Sequence, residues 1–206
     1  MRDPWVHVGR LWTDGQTFLA IDAALRGAWQ GASNDDFEKV IIDQVIALGR
    51  QDTSIPVGTG RAVLVGADGA VRDDSWMEVF ESETGIVAIV QASGLPDYPE
   101  VLARALGYPD TDDLDGDTLK VASGEIAIFD AGLDGTGPDS GTFASARPGP
   151  VPPVYRPLAY GQPRPPDGLL MPAPHAEYKL KIRWKTWLDE HNCFARWLLI
   201  PSRAND

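Results

Sequence analysis

Ten of the chain's seventeen prolines lie between Pro148 and Pro174. Proline lacks a backbone N–H and has a fixed φ, so this stretch can form neither a helix nor a central strand. It reads as a long extended connection over 148–174, laid against the fold or looping out from it. The core must therefore come from the flanking segments. At 43% hydrophobic residues with seven Trp, the 206 residues are too rich in core formers for a disordered chain. One compact unit spanning residues 1–206 is expected.

Before the prolines, short apolar runs alternate with turn signals. Phe18–Asp22 reads as a buried strand, and Arg61–Val65, Trp76–Phe80 and Ile86–Gln91 as further strands. Asp68-Gly69 suits a tight hairpin turn leading into Ala70–Arg72. Phe37, Val40, Ile41, Val45 and Leu48 fall at three- and four-residue spacing, which predicts a helix over 34–49. Asp35 and Glu38 form a capping-box-like start to it, and Gly49 supplies the stop. A second helix is predicted over 99–106, with Asp97 and Pro99 at its start and Gly107 at its end. Pro109–Thr118 holds five Asp and reads as a loop, followed by a strand over Glu125–Asp130.

After the prolines, Tyr178, Leu180, Ile182 and Trp184 alternate with Lys179, Lys181, Arg183 and Lys185. That is an amphipathic strand with one basic face. Asp189–Asn192 turns the chain and Phe194–Ile200 returns as the last strand. The fold class that follows is α+β, β-rich, mostly antiparallel sheet with two helices. A weak internal repeat overlays Phe18–Gly27 on Ile126–Gly135 at an offset of 108 residues. Chance likeness of two strand-to-turn segments explains it; so does a duplication, with similar halves over 1–108 and 118–206.

Thirty acids against eighteen bases give a net charge of −12. The charge is uneven: residues 1–142 carry 25 acids and 9 bases, residues 143–206 carry 5 acids and 9 bases. The two parts either face and compensate each other, or leave a negative surface for a cationic partner. An acidic chain repels phosphate, so nucleic acid is not expected as a direct partner. No apolar run approaches the ~18–20 residues of a membrane span, and the N-terminus lacks a signal-like apolar core. A lone Cys193 makes neither an internal disulfide nor a Cys-rich zinc site. A cytoplasmic location is expected.

The residues offer little chemistry. Setting Asp113, Asp115 and Gly116 on a calcium loop puts Thr111 first and Ala122 where a bidentate Glu is required. Gly58-Thr59-Gly60 opens like a dinucleotide fingerprint, but Val63 fills its last glycine position, and a turn is the better reading. His191 and Cys193 stand two apart without an orienting partner. The basic strand face is expected to be solvated or internally paired. Trp184, Trp187 and Trp197 are expected to share a core cluster, unless Trp187 is exposed and marks an interface. No catalytic residue, metal ligand or cofactor is expected, and an enzyme is not.

A resemblance does emerge from longer strings. Gly9–Gly31, then DDFEKVIIDQVIALGRQDTSIPVGTGRAVLVG from Asp35, then the strand GIVAIVQ, resemble a family of bacterial immunity proteins from polymorphic toxin systems, immunity protein family twenty-one. The matching motifs are Ala28-Trp29-Gln30-Gly31, Asp36-Phe37, Ile55-Pro56-Val57-Gly58 and Ala62-Val63-Leu64-Val65-Gly66. Ile126–Gly132 and the closing strand pair extend it into the second half. The long Asp-rich loop and the Pro-rich connection depart from that pattern. The resemblance implies a cytoplasmic inhibitor, monomeric when free, that binds a cognate toxin, such as a basic nuclease. On this reading the contact candidates are Asp73, Asp74, Asp110, Asp112, Asp113, Asp115 and Asp117, with Trp76 or Trp187 as anchor. A phage- or secretion-related assembly protein remains an alternative, as does a hydrolase built from scattered carboxylates.

Overall fold

The structure is a computed structural model. It describes residues 4–36, 53–66, 71, 74–93, 97–153, 156, 159, 161 and 165–202. The expected helix over 34–49 lies outside these residues from position 37 onward, as do Asp73 and the Asp68-Gly69 hairpin.

Among the described residues twelve strands form two six-stranded sheets. In chain order they are β1 (Trp5–Asp14), β2 (Phe18–Asp22), β3 (Ser54–Val57), β4 (Gly60–Val65), β5 (Asp74–Ser82) and β6 (Val87–Ser93). There follow β7 (Leu114–Lys120), β8 (Glu125–Asp130), β9 (Phe143–Ser145), β10 (Gly168–Pro172), β11 (Glu177–Trp187) and β12 (Cys193–Pro201). Helix α1 (Tyr98–Gly107) lies between β6 and β7, and a 3-10 turn (Ala23–Ala28) follows β2. Sheet A runs β1-β5-β6-β12-β11-β7 and sheet B runs β3-β4-β2-β8-β10-β9. All pairings but β9–β10 are antiparallel. The α+β, mostly antiparallel class is thus the observed one.

The sheets pack face to face over a core that includes Leu11, Phe18, Val63, Ile89, Ile128, Leu180 and Trp197. Both outer faces carry an apolar layer of their own. On sheet A, Phe80, Val90, Phe194 and Leu198 receive the buried side of α1, formed by Tyr98, Val101, Leu102 and Ala105. On sheet B, Leu19, Ile21, Ile55 and Phe129 pack with Trp29. This two-sided burial explains why β2 and β8 are continuous apolar runs and not alternating ones.

The order of each sheet is the same read from either end, with each strand replaced by the one six later. The register keeps this relation. In β6–β12, Ala88↔Leu198 and Val90↔Arg196 flank Ile89↔Trp197, whose members are 108 residues apart. In β2–β8, Phe18↔Asp130 and Asp22↔Ile126 flank Ala20↔Ile128. An approximate two-fold axis therefore passes through both seams. A bulge interrupts β1 between His7 and Gly9, and another interrupts β7 between Asp115 and Thr118, at the 108-residue offset. The exception is β9, parallel to β10, where its counterpart β3 is antiparallel to β4.

Several expectations change. The Asp-rich segment is a loop only to Asp113, because β7 begins at Leu114. As an edge strand its outward side chains stay in water, so a run of Asp costs it little. The Pro-rich connection is interrupted by β10, which fits between prolines because its own Pro172 is its last residue. Strands β1 and β9 are additions to the sequence reading, and Ile55-Pro56-Val57 belongs to β3 before its turn. Trp184 packs edge-on against buried Trp197 at 6.1 Å, but Trp187 is 58% exposed and does not join them.

Candidate functional site

Two charged clusters lie under the outer surface of sheet A. In the first, Glu78 on β5 is fully buried between Trp76 and Phe80. Its Oε2 lies 2.8 Å from His7 Nε2, and its Oε1 accepts from Arg10 at 2.5 Å and from the Tyr98 hydroxyl at 3.0 Å. His7 and Arg10 are three apart and would face opposite sides of a regular strand. The β1 bulge between them brings both to Glu78. The Arg10 guanidinium also lies 3.9 Å from the Trp76 ring centroid.

In the second cluster, the buried Asp113 carboxylate takes Arg183 Nε at 2.5 Å and Arg196 at 2.8 Å. Arg196 donates onward to the Ala105 and Tyr108 carbonyls at the end of α1. A cation there meets the negative end of the helix dipole, on the Ala105 carbonyl that also accepts the Tyr108 N–H at 3.3 Å. Each cluster ties one element to another, while Arg10 Nε and Arg196 Nε are buried without a hydrogen-bond partner. Each could have been noticed in the sequence: Glu78 alternates with Trp76 and Phe80, and Arg196 with Phe194 and Leu198, so each charge shares its face with bulky apolar neighbours. Among the described residues no group of three or more His, Cys, Asp or Glu is placed to hold a metal ion.

The contact candidates divide sharply. Asp113 is buried in its ion pairs and offers no surface to a partner. Trp76 is 7% exposed, with its indole N–H donating to the Arg156 carbonyl at 2.7 Å, so it lies beneath the Pro-rich connection and is not an exposed anchor. Asp115 pairs with Lys179 at 3.2 Å and lies 3.9 Å from Lys181. Asp117 accepts from Ser54 at 2.6 Å and Thr53 at 3.2 Å, joining the edge of sheet A to β3. The basic face of β11 is thus largely paired inside the chain. Asp110 and Asp112 are exposed and form no ion pair among the described residues.

Several strand ends lie together at one end of sheet A. Asp14 and Asp74 form the last pair of β1–β5, and Trp187 and Cys193 that of β11–β12. Cys193 in turn pairs with Ser93, the last residue of β6. The loop carrying Asp110 and Asp112 enters β7 from that side, where Leu114 pairs with Ile182, five residues before Trp187. Six strands at ~4.8 Å spacing make this edge about 24 Å wide. Exposed Trp187, with Lys185 Nζ 5.3 Å from its ring, stands within it. Beside it, the turn 189–192 is held by Asp189, which Asn192, Arg104 and the His191 N–H keep well below the usual carboxylate range. Comparison with known proteins finds no matching family model, no matching curated protein and no matching solved structure.

Proposed function

We propose that this chain is an inhibitor of the immunity type, which binds a cognate bacterial toxin in the cytoplasm and blocks it by occupation. The observation that carries this reading is a pair of exposed carboxylates, Asp110 and Asp112, on the loop that enters β7, beside a strand β11 that ends in exposed Trp187. An aromatic anchor rimmed by charge is the usual composition of a protein-binding surface. A net charge of −12 would speed encounter with a basic partner. The sequence resemblance to immunity proteins points the same way. No helix among the described residues is long and apolar enough to cross a membrane, which is compatible with this role.

The test is capture of partners by the tagged full-length chain from its native cell, with mass identification. One stoichiometric basic protein, released by salt, is the expected result. Recovery of self-copies alone, or of nothing, overturns the proposal. With the partner in hand, Trp187→Ala is expected to weaken binding by about 2 kcal/mol or more, mostly through faster dissociation. Asp110→Asn with Asp112→Asn should slow association and flatten its salt dependence.

A further inference from the structure

Segment 147–153 (RPGPVPP) runs from the β1 edge of sheet A onto that sheet's outer apolar layer. Every residue in it is a proline or directly precedes one. Proline fixes its own φ, and the residue before a proline is kept out of the helical region. Covalent structure alone therefore holds the segment extended, close to polyproline II. Its seat is defined as well. The Arg147 N–H donates to the Val8 carbonyl and the Gly149 N–H to the His7 carbonyl, both at 2.9 Å. Val151 packs on the apolar layer, and farther along the Trp76 indole N–H donates to the Arg156 carbonyl at 2.7 Å.

A polyproline II helix has three residues per turn, so positions three apart share an edge. Arg147, Pro150 and Pro153 make one such edge, and all three are exposed. Val151 lies on a different edge and is half-buried, as is Pro152. The outward edge thus carries Pro-x-x-Pro, the spacing that aromatic-lined grooves recognise, with a cation three residues ahead of it. We propose that segment 147–153 is a ligand presented to a second protein, one whose groove is lined with aromatic side chains and rimmed at one end by carboxylates. Pro150 and Pro153 enter the groove and Arg147 meets the rim. Charge defines that rim: residues 140–166 hold three arginines and no acid, in a chain of net charge −12. A preset, anchored ligand loses little conformational freedom on binding. The segment lies at the edge of sheet A opposite β7, away from the Asp110 and Asp112 loop, so the inference goes beyond the inhibitor role and does not rest on it.

The probe is an isolated SH3 domain that takes Arg-first Pro-x-x-Pro ligands, titrated into the 15N-labelled full-length chain. Saturable shifts are expected at Arg147, Gly149 and Val151, the residues of the segment that carry an N–H. The Trp76 indole N–H should keep its protection from exchange, because the segment binds without leaving its seat. Pro150→Ala with Pro153→Ala should abolish the shifts. Arg147→Gln should weaken binding about two- to five-fold, the scale of an exposed ion pair. The free peptide RPGPVPP, with and without the same two proline substitutions, repeats the comparison independently of folding. The proposal fails if no saturable shift appears at those three residues, or if the double proline variant or its peptide binds as well as the original. It fails equally if binding exposes the Trp76 indole to exchange, since the segment is then a cover that has to be displaced. Shifts at the same residues with chain concentration alone would assign the edge to a second copy and also overturn it.

Discussion

Glu78 shows how one residue can hold several elements. Its carboxylate is out of water and receives groups from β1 and α1, so removing it leaves Arg10 without its counter-charge and His7 without this hydrogen-bond partner. Breaking a buried pair from one side costs about 3–5 kcal/mol. Glu78→Ala is expected to lose that much in urea unfolding at pH 7, and a loss below about 1 kcal/mol would mean that water reaches the site. Asp22 acts differently. Burial raises its pKa, but the Ser123 side chain and the N–H groups of Ala24, Ala122 and Ser123 outweigh this, and the net shift is downward. A depressed carboxylate stabilises the fold above its unfolded pKa, and that contribution disappears as pH falls through the folded one. Asp22→Asn should therefore cost about 1–3 kcal/mol at neutral pH, with the gap to wild type closing below about pH 4. A gap that stays constant down to pH 2 would assign the effect to shape.

Elements differed in how openly their sequences announced them. Helix α1 was legible because Pro99 and Gly107 mark its ends and its apolar positions recur with helical spacing. Strand β11 was legible because its alternation is unbroken as far as Trp184. Strand β1 was not, since its bulge shifts the alternation halfway and puts His7 and Arg10 on a buried face. Strands β9 and β10 were hidden by length and by the surrounding prolines, which are tolerated at strand ends. The 3-10 turn after β2 depends on a remote glycine. A Cβ at Gly135 would fall on the Arg26 carbonyl, and the Gly135 N–H donates to the Trp29 carbonyl at 3.1 Å. Backbone cannot yield as a flexible side chain does, so Gly135→Ala should lower stability by about 1–3 kcal/mol in thermal or urea melts.

At the scale of the whole molecule, the approximate two-fold axis puts three strands from each set of six in each sheet. Central seams β2–β8 and β6–β12 join the sets, so either set alone would expose two apolar strand edges. Fragments 1–110 and 111–206 are expected to be insoluble singly and to co-purify when expressed together; a soluble, folded single fragment would refute this. The weak likeness of Phe18–Gly27 to Ile126–Gly135 has a local counterpart in the fold. Asp22 Oδ1 accepts from the Ala24 N–H at 3.0 Å, and Asp130 Oδ1 from the Gly132 N–H at 2.7 Å.

Composition and local period, read from the chain alone, were enough to establish a β-rich core, the helix at 99–106, the basic face of β11 and an acidic surplus. They could not tell which of the acids are free. Asp110, Asp112, Asp113, Asp115 and Asp117 look alike in sequence, yet one is buried between two arginines, two are tied to Lys179, Ser54 and Thr53, and two remain open. Trp76 and Trp187 are likewise equal as candidates until the Pro-rich connection is seen to cover one of them. The reason is physical. Side-chain period follows from the backbone geometry of a few neighbouring residues, whereas access to water depends on what arrives over a face from about sixty or more residues away.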